Sequence, residues 1–230
     1  FHFSEEHWRD PTELKAGMTK RELDENRIGW DLLIDIDTKF IEYSRKTAEI
    51  ISEVFSSYEI NNYSIKFSGN KGFHLAVPFK AFPNEVNGMD TRLLFPDGPR
   101  IIASFLKYRI RERLRDEILK LSTPEEIAKS LGMKLEELYD TKKEFDPFSI
   151  IELDTVLISS RHLFRGAYSF NEKSGLVSIP LKRDGLSKFQ LSDAKPENIT
   201  EIIPFLDETK VGRNEAKGFI ITAFDWHSKQ

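Results

Sequence analysis

The sequence has no cysteine among its 230 residues. This absence excludes a disulfide scaffold, a thiol nucleophile, iron–sulfur ligation and any zinc site with cysteine ligands. A globular chain of this length buries about 70–75% of its unfolded surface, so it can fold without such cross-links. We therefore expect an ordinary hydrophobic core and no bound zinc.

Segments that direct a protein into or across a membrane are also missing. No apolar run approaches the ~20 residues of a membrane-spanning helix. The amino-terminal residues have neither the basic start nor the apolar centre of a signal peptide. We expect a cytoplasmic protein with no membrane partner. The first residue is Phe rather than Met, so we also expect a piece of a longer chain.

An excess of positive charge is absent, because 34 Lys and Arg stand against 38 Asp and Glu, for a net charge of −4. This balance disfavours binding of duplex DNA by bulk charge alone. A local basic groove is compatible with it, because net charge does not fix where charges lie. Arginines alternate through the segment 109–115, but acidic neighbours favour ion pairs on a solvated helix face. Contact with a nucleic-acid backbone is the alternative.

Hydrophobic periodicity predicts both strands and helices. The predicted strands cover residues 30–37, 62–68, 73–77, 150–154 and 176–180, and the predicted helices cover 40–58, about 100–121, 124–131 and 196–205. A capping box at Thr123 begins the third helix and Gly132 ends it. Strands in hairpins with helices between them indicate an α+β fold rather than a doubly wound parallel sheet.

Two aspartates lie at the end of the first predicted strand. Successive strand side chains alternate between faces, so Asp35 and Asp37 project from the same face. Adjacent carboxylates repel each other, and a hard dication such as Mg²⁺ or Mn²⁺ prefers carboxylate oxygens. Because the apolar strand should be buried, the spacing favours a metal site over a solvated acidic edge.

A glycine-containing turn follows the second strand, where the segment 68–74 has the sequence Ser-Gly-Asn-Lys-Gly-Phe-His. Two glycines let the backbone approach a ligand closely, and the N–H groups of such turns bind anions. A hydroxyl, an ammonium and an imidazole complete a plausible triphosphate cradle. A simple hairpin turn with a buried histidine is the alternative, and the P-loop pattern is absent.

A basic segment follows Asp154. Arg161, His162, Arg165 and Lys173 place four possible cations within thirteen residues. Basic groups beside acids suit a site that binds phosphate and metal. A solvated basic loop is the alternative.

An apolar strand with two aspartates also occurs in phosphatases of the haloacid dehalogenase type. Those enzymes carry Thr or Val two positions after the second Asp, where this chain has Lys39. The match is therefore poor. Another kind of metal-dependent phosphohydrolase or nuclease stays open as an alternative, as does a structural subunit without activity.

The three segments, in this order, resemble the motifs of the archaeo-eukaryotic primase superfamily, the small catalytic subunit of archaeal and eukaryotic primase. Residues 34–37 resemble its hydrophobic D-x-D motif, and residues 68–74 resemble S-G-x-x-G-x-H. Residues 153–154 resemble its third motif, a hydrophobic residue followed by Asp. Residues 161–175 resemble its downstream basic stretch, so the resemblance spans about residues 30–182.

The resemblance implies an α+β primase-type core: a mixed β-sheet, flanking helices and a helical insert. It implies one catalytic domain over 1–230, with the insert at about 100–145 where relatives often carry a zinc knuckle. The implied activity is template-directed nucleotidyl transfer with two Mg²⁺ or Mn²⁺ ions. Asp35, Asp37 and Asp154 would be the catalytic metal ligands. The implied nucleotide-binding residues are Ser68, Gly69, Lys71, Gly72, His74, His162, Arg165 and Lys173.

Departures from the family pattern favour a divergent branch, such as a primase-polymerase. One charge of a basic pair is replaced by Asn70, and Asn171 stands where the family often has His. An end-joining or gap-filling repair polymerase stays open as an alternative. The implied partners are a single-stranded DNA template and nucleoside triphosphates, which would associate the protein with the nucleoid. Phosphate contacts dominate affinity for nucleic acid, so we also expect a primase large subunit or a fused accessory domain to assist this acidic chain.

Overall fold

The computed structural model describes residues 1–153 and 163–230. In these ranges the α-helices are α1 (Lys20–Asn26), α2 (Ile41–Ser57), α3 (Asp97–Leu121), α4 (Pro124–Leu131) and α5 (Lys217–His227). The strands are β1 (His2–Ser4), β2 (Glu6–Trp8), β3 (Arg27–Trp30), β4 (Leu32–Thr38), β5 (Ser64–Phe67), β6 (Phe73–Val77), β7 (Glu85–Val86), β8 (Met89–Asp90), β9 (Ile151–Leu153), β10 (Leu163–Arg165) and β11 (Pro180–Leu181). Helices and strands together confirm the predicted α+β class.

A five-stranded sheet lies at the centre, in the order β11-β5-β6-β4-β9. We expected a mixed sheet, and the pairings that the structure describes within it are antiparallel. A short turn explains this direction only for β5 and β6, because a tight hairpin can join two neighbouring strands only when they run in opposite directions; the other three pairs join strands that are distant in sequence. Strand β4 lies between β6, which pairs with residues 32–36, and β9, which pairs with residues 36–38, so the two pairings overlap at Ile36.

The two faces of β4 are covered by different parts of the chain. Ile34 and Ile36 face the main core beneath α2 and α3. On the opposite face, Leu33 packs in a smaller cluster with Ala76 and Phe164. This double coverage explains why β4 has an almost continuous apolar sequence rather than a simple alternation.

The helices between the second and third motifs follow the predicted pattern. Helix α3 is a long helix whose apolar side packs against α2 and α5, and α4 follows it directly. The Thr123 hydroxyl accepts a hydrogen bond from the Glu126 N–H, and the Glu126 carboxylate accepts one from the Thr123 N–H. Gly132 ends α4 with a left-handed φ of 67°, a conformation that glycine adopts readily.

Two predictions for the carboxy-terminal part are wrong. Residues 196–205 form only a single 3₁₀ turn over Pro196–Asn198, and the regular helix there is α5. The apolar, β-branched sequence of α5 lacks a clear polar face, so its helical period is hidden. The predicted strand over 176–180 is reduced to Pro180–Leu181 in β11, preceded by an isolated bridge between Phe170 and Val177.

Among the described residues, none of the helices combines the length and the apolar composition that crossing a bilayer requires.

Candidate active site

Asp35 and Asp37 project from one face of β4, as their spacing predicts. The register places His74 of β6 opposite Asp35 and Glu152 of β9 opposite Asp37. The Oδ1 atom of Asp35 lies 3.3 Å from Nε2 of His74. The Asp35 side chain keeps 39% of its surface exposed, and Asp37 is exposed. Both carboxylates are therefore accessible to a ligand.

The electrostatics of this pair favour a cation. Partial burial and the neighbouring charge of Asp35 raise the pKa of Asp37. A divalent cation between two carboxylates relieves such repulsion, and hard oxygen donors suit Mg²⁺ or Mn²⁺. The donor set therefore fits the metal chemistry predicted from the sequence.

The turn after β5 is locked against β4. Ser68 donates its N–H to the carbonyl of Gly72 at 2.9 Å, and its hydroxyl accepts the Gly72 N–H at 3.2 Å. A Cβ atom at Gly72 would lie 2.5 Å from the carbonyl oxygen of Ile36, a distance that no side chain tolerates. Gly69 has a left-handed φ of 96°. Both glycines are thus required by geometry, and the turn lies beside the aspartates.

His74 is buried beneath this turn, with only 4% of its surface exposed. Its Nδ1 atom has no hydrogen-bond partner among the described residues. Burial and the charge of Lys66 lower the pKa of His74, which favours the neutral imidazole. We assign the ring proton to Nε2, which faces Asp35, and this leaves Nδ1 as a buried acceptor.

Arg165 of β10 reaches the same site from the other side. Its guanidinium donates to the carbonyl of Phe170 and lies 3.4 Å from a carboxylate oxygen of Glu172. The Arg165 Cδ atom is 3.7 Å from where a Cβ of Gly69 would stand. Arg165 is thereby held against the glycine turn.

These residues enclose a cavity of about 270 Å³, hereafter the nucleotide cavity. Six of the residues predicted for the site line this cavity: Asp35, Asp37, Ser68, Lys71, His74 and Arg165. Asn171 lines it as well. Among the predicted residues that have a side chain and that the structure describes, one does not line it. Lys173 is the exception: it is exposed in the turn that follows Asn171 and does not line the cavity. Asp154 and His162 lie outside the described residues.

Lys66 was not predicted to belong to the site, yet it lies beneath it. It is opposite His74 in the β5–β6 pair and is completely buried. Its ammonium donates to the Arg165 carbonyl at 2.9 Å and to the Ser178 hydroxyl at 3.1 Å. Burial lowers the pKa of Lys66 to about 7, against the opposing effect of Asp35. Lys66 therefore joins the central sheet to the strand that carries Arg165.

Glu152 is a further carboxylate that sequence reasoning missed. It is exposed on β9, directly opposite Asp37. A signal was present, because Glu152 and Asp154 repeat the two-residue spacing of Asp35 and Asp37.

Another acidic cluster lies near the amino-terminal end of β4. Ligand atoms of His7, Asp31 and Glu208 lie within 4.8 Å of one another. His7 and Asp31 already share a hydrogen bond of 2.9 Å, and Asp31 also accepts the Phe79 N–H. These contacts give His7 and Asp31 a structural role.

The family model of the DNA primase small subunit matches residues 33–183. The chain belongs to this family. The matched range contains the aspartate pair, the glycine turn and the basic segment. Membership of the primase small subunit family accounts for the α+β core.

A relative of this primase-family chain occurs in Methanocaldococcus jannaschii. It is an uncharacterized protein, 35% identical over 202 residues, and the match covers 86% of this chain. The same match covers 40% of the relative, so the chain spans less than half of that protein's length.

Proposed function

We propose that this chain is the catalytic part of a DNA primase or primase-polymerase, which joins nucleotides on a single-stranded template and releases pyrophosphate. One observation carries the proposal. Asp35 and Asp37 line the same cavity as Ser68, Lys71 and Arg165. Carboxylates that suit a dication and groups that suit a triphosphate are what phosphoryl transfer requires in one place.

The residues of the nucleotide cavity divide into two roles. Ser68, Lys71, Arg165 and the backbone of the glycine turn would bind the phosphates of the incoming nucleotide. Asp35 and Asp37, with Asp154, would hold two divalent ions. Such ions activate an attacking hydroxyl and neutralise the charge of a leaving pyrophosphate. His74 would fix the orientation of Asp35 through the contact at 3.3 Å.

Gly69 and Gly72 complete the proposed nucleotide site by allowing close approach of the backbone, and His162 and Lys173 would contact the triphosphate or sugar.

We further propose that residues 1–230 form one catalytic domain, in which helices over about 100–145 replace a zinc knuckle. A net charge of −4 gives little general attraction for DNA. A primase large subunit or an accessory domain would therefore strengthen template binding and bring the protein to the nucleoid.

Nucleotide incorporation tests the proposal. Single-stranded DNA, labelled ATP or dATP, and Mg²⁺ or Mn²⁺ are supplied with and without a primer. The double variant Asp35→Asn/Asp37→Asn should reduce incorporation by a factor of at least about 10³, because the charges that bind the metals are removed. Asp225→Asn is the matched control, since Asp225 is an exposed residue of α5.

Each result has a defined meaning. Unprimed product that the double variant loses supports a primase. Product that requires a primer supports the gap-filling or end-joining alternative. Template-independent hydrolysis of the nucleotide would show a phosphohydrolase instead. Equal incorporation by the double variant and by Asp225→Asn would overturn the assignment of the aspartates.

A further inference from the structure

A second and larger cavity borders the nucleotide cavity. Its volume is about 570 Å³, and Asp37, Asn70 and Lys71 line both cavities. The nucleotide cavity lies on the β6 side of β4, where it includes His74. The second cavity lies on the β9 side, where it includes Glu152. The two cavities therefore meet at Asp37 from opposite edges of one strand.

The lining of the second cavity combines positive charge with apolar surface. Lys39, Lys71 and Lys107 line it, and none of them forms a salt bridge with a described carboxylate. Met133 and Phe148 contribute apolar surface beside them. Ammonium groups bind phosphates, and apolar side chains accept the flat faces of bases in a sequence-independent way.

Unlike these three lysines, three nearby arginines of α3 form salt bridges. Arg111 bonds to Asp146 at 2.8 Å, Arg113 pairs with Glu53, and Arg115 bonds to Glu144 at 3.0 Å. These arginines are thus held in ion pairs, as expected, but their closest partners are residues distant in sequence rather than the acidic neighbours on α3. The Lys107 ammonium lies 5.5 Å and the Arg111 guanidinium 5.2 Å from the ring centre of Phe148. Of these two cations on α3, Lys107 lines the second cavity, whereas Arg111 is paired with Asp146.

We propose that the second cavity binds the nucleotide whose 3′-hydroxyl attacks the incoming triphosphate. The inference rests on the proposed function and deepens it. Phosphoryl transfer places the attacking and leaving oxygens in line, on opposite sides of the phosphorus. With the triphosphate in the nucleotide cavity, the attacking group enters from the other side of Asp37, and the second cavity occupies that side.

A bond forms between the 3′-oxygen and the α-phosphorus, and the bond from the α-phosphorus to the bridging oxygen breaks. Pyrophosphate leaves with that oxygen, and the hydroxyl proton passes to water. The 3′-hydroxyl can come from two sources, the last nucleotide of a primer or the first nucleotide of a new chain.

Lys107→Ala tests this site, with Arg109→Ala as the matched control. Arg109 is exposed on the same helix and forms no salt bridge with a described carboxylate. Because one charged contact is lost, Lys107→Ala should raise the KM for primer–template about tenfold and leave the KM for the incoming nucleotide unchanged. The salt slope for single-stranded binding should fall by about 0.7. Arg109→Ala should match the wild-type protein in each measurement.

Two assay arms separate the sources of the hydroxyl. An effect confined to primer extension assigns the cavity to the primer end, and an effect confined to unprimed synthesis assigns it to the initiating nucleotide. An effect in both arms supports a shared site. If Lys107→Ala and Arg109→Ala behave alike in both arms, the proposal is wrong even though the protein incorporates nucleotides.

Photocross-linking gives a readout that does not depend on turnover. The probe is an oligonucleotide with 4-thiothymidine at its 3′ end, irradiated with the wild-type protein. Mass spectrometry should locate cross-links in the peptides that contain Met133 or Phe148. Cross-links found only elsewhere would overturn the proposal. Cross-links at these residues without any incorporation would instead count against the proposed function while leaving the binding site in place.

Discussion

Nε2 of His74 lies 3.3 Å from Oδ1 of Asp35, across the antiparallel pair of β4 and β6. The imidazole is buried and Asp35 is partly exposed, so one partner is fixed by the core while the other faces the nucleotide cavity. This relationship changes the role predicted for His74. We propose that it orients the Asp35 carboxylate through this contact, in addition to the nucleotide contact that the family resemblance implies.

Replacing His74 by alanine should weaken metal binding. Groups that orient a ligand typically contribute 10–100-fold to metal affinity, so we expect His74→Ala to raise the Kd for Mn²⁺ about tenfold. Titration followed by electron paramagnetic resonance measures this directly. His227→Ala, which alters an exposed histidine of α5, is the control. Equal Mn²⁺ affinities for the two variants would show that His74 does not orient Asp35.

Replacing Lys66 by methionine should affect both stability and nucleotide binding. The Arg165 carbonyl and the Ser178 hydroxyl would lose their buried donor, at a cost of about 1–3 kcal/mol in the free energy of unfolding. Because the strand carrying Arg165 is then less well held, the KM for nucleotide should rise. Urea unfolding and steady-state kinetics measure the two effects.

Lys80→Met is the matched control for Lys66→Met. Lys80 also donates to a backbone carbonyl, that of Glu208 at 2.8 Å, but its side chain is exposed. We expect a loss within about 0.5 kcal/mol for this surface substitution. If Lys66→Met lowered stability and left the KM for nucleotide unchanged, Lys66 would have a structural role only.

Gly72→Ala should disrupt the turn that forms the nucleotide cavity. The new methyl group would lie 2.5 Å from the carbonyl oxygen of Ile36, a backbone atom that cannot rotate away as a flexible side chain could. Strain of this kind costs about 1–3 kcal/mol, and nucleotide binding should weaken with it. Gly218→Ala in α5 meets nothing within 4 Å and should be neutral or stabilising by about 0.5–1 kcal/mol. Thermal unfolding with and without nucleotide compares the two variants.

Glu5 should make stability depend on pH. Burial, followed by the charges of Glu6 and Asp31, raises the pKa of Glu5 from 4.5 to about 8. Between these two pH values the folded protein therefore holds more protons than the unfolded chain. The contribution of Glu5 to the free energy of unfolding is complete below pH 4.5 and is lost as pH rises through 8. Glu5→Gln should remove this pH-dependent loss of stability.

Urea unfolding of wild type and Glu5→Gln at pH 5 and pH 8.5 measures this effect. The variant should be more stable than wild type at the higher pH by an amount on the order of 1–3 kcal/mol, and the difference should shrink at pH 5. Glu85→Gln is the control, since Glu85 is exposed. A constant difference at the two pH values would mean that Glu5 does not titrate in this range.

The sequence predicted the aspartate pair and the glycine turn because both depend on local geometry. Alternation along a strand places Asp35 and Asp37 on one face, and the contact of Gly72 with Ile36 requires glycine. The same rule of alternation failed for Lys66. It predicts an exposed polar face for β5, but residues distant in sequence cover that face, and local periodicity contains no information about them.

Two other outcomes also depend on distant contacts. Lys173 is eight residues from Arg165, but only Arg165 lines the nucleotide cavity, while Lys173 is exposed in a turn. The arginines of α3 formed a conspicuous basic run, yet their partners Glu53 and Asp146 come from elsewhere in the chain. Their availability to a ligand could therefore be judged only from the fold.

The position of β4 between β6 and β9 has a consequence for hydrogen exchange. Amide protons of a strand paired on both edges exchange only when neighbouring strands separate as well. The amide of Ile36, where the β6 and β9 pairings overlap beside the two aspartates, should therefore exchange among the slowest in the molecule. The two carboxylates would then be held on a strand that hardly moves, and any conformational adjustment during the reaction would come from the surrounding loops.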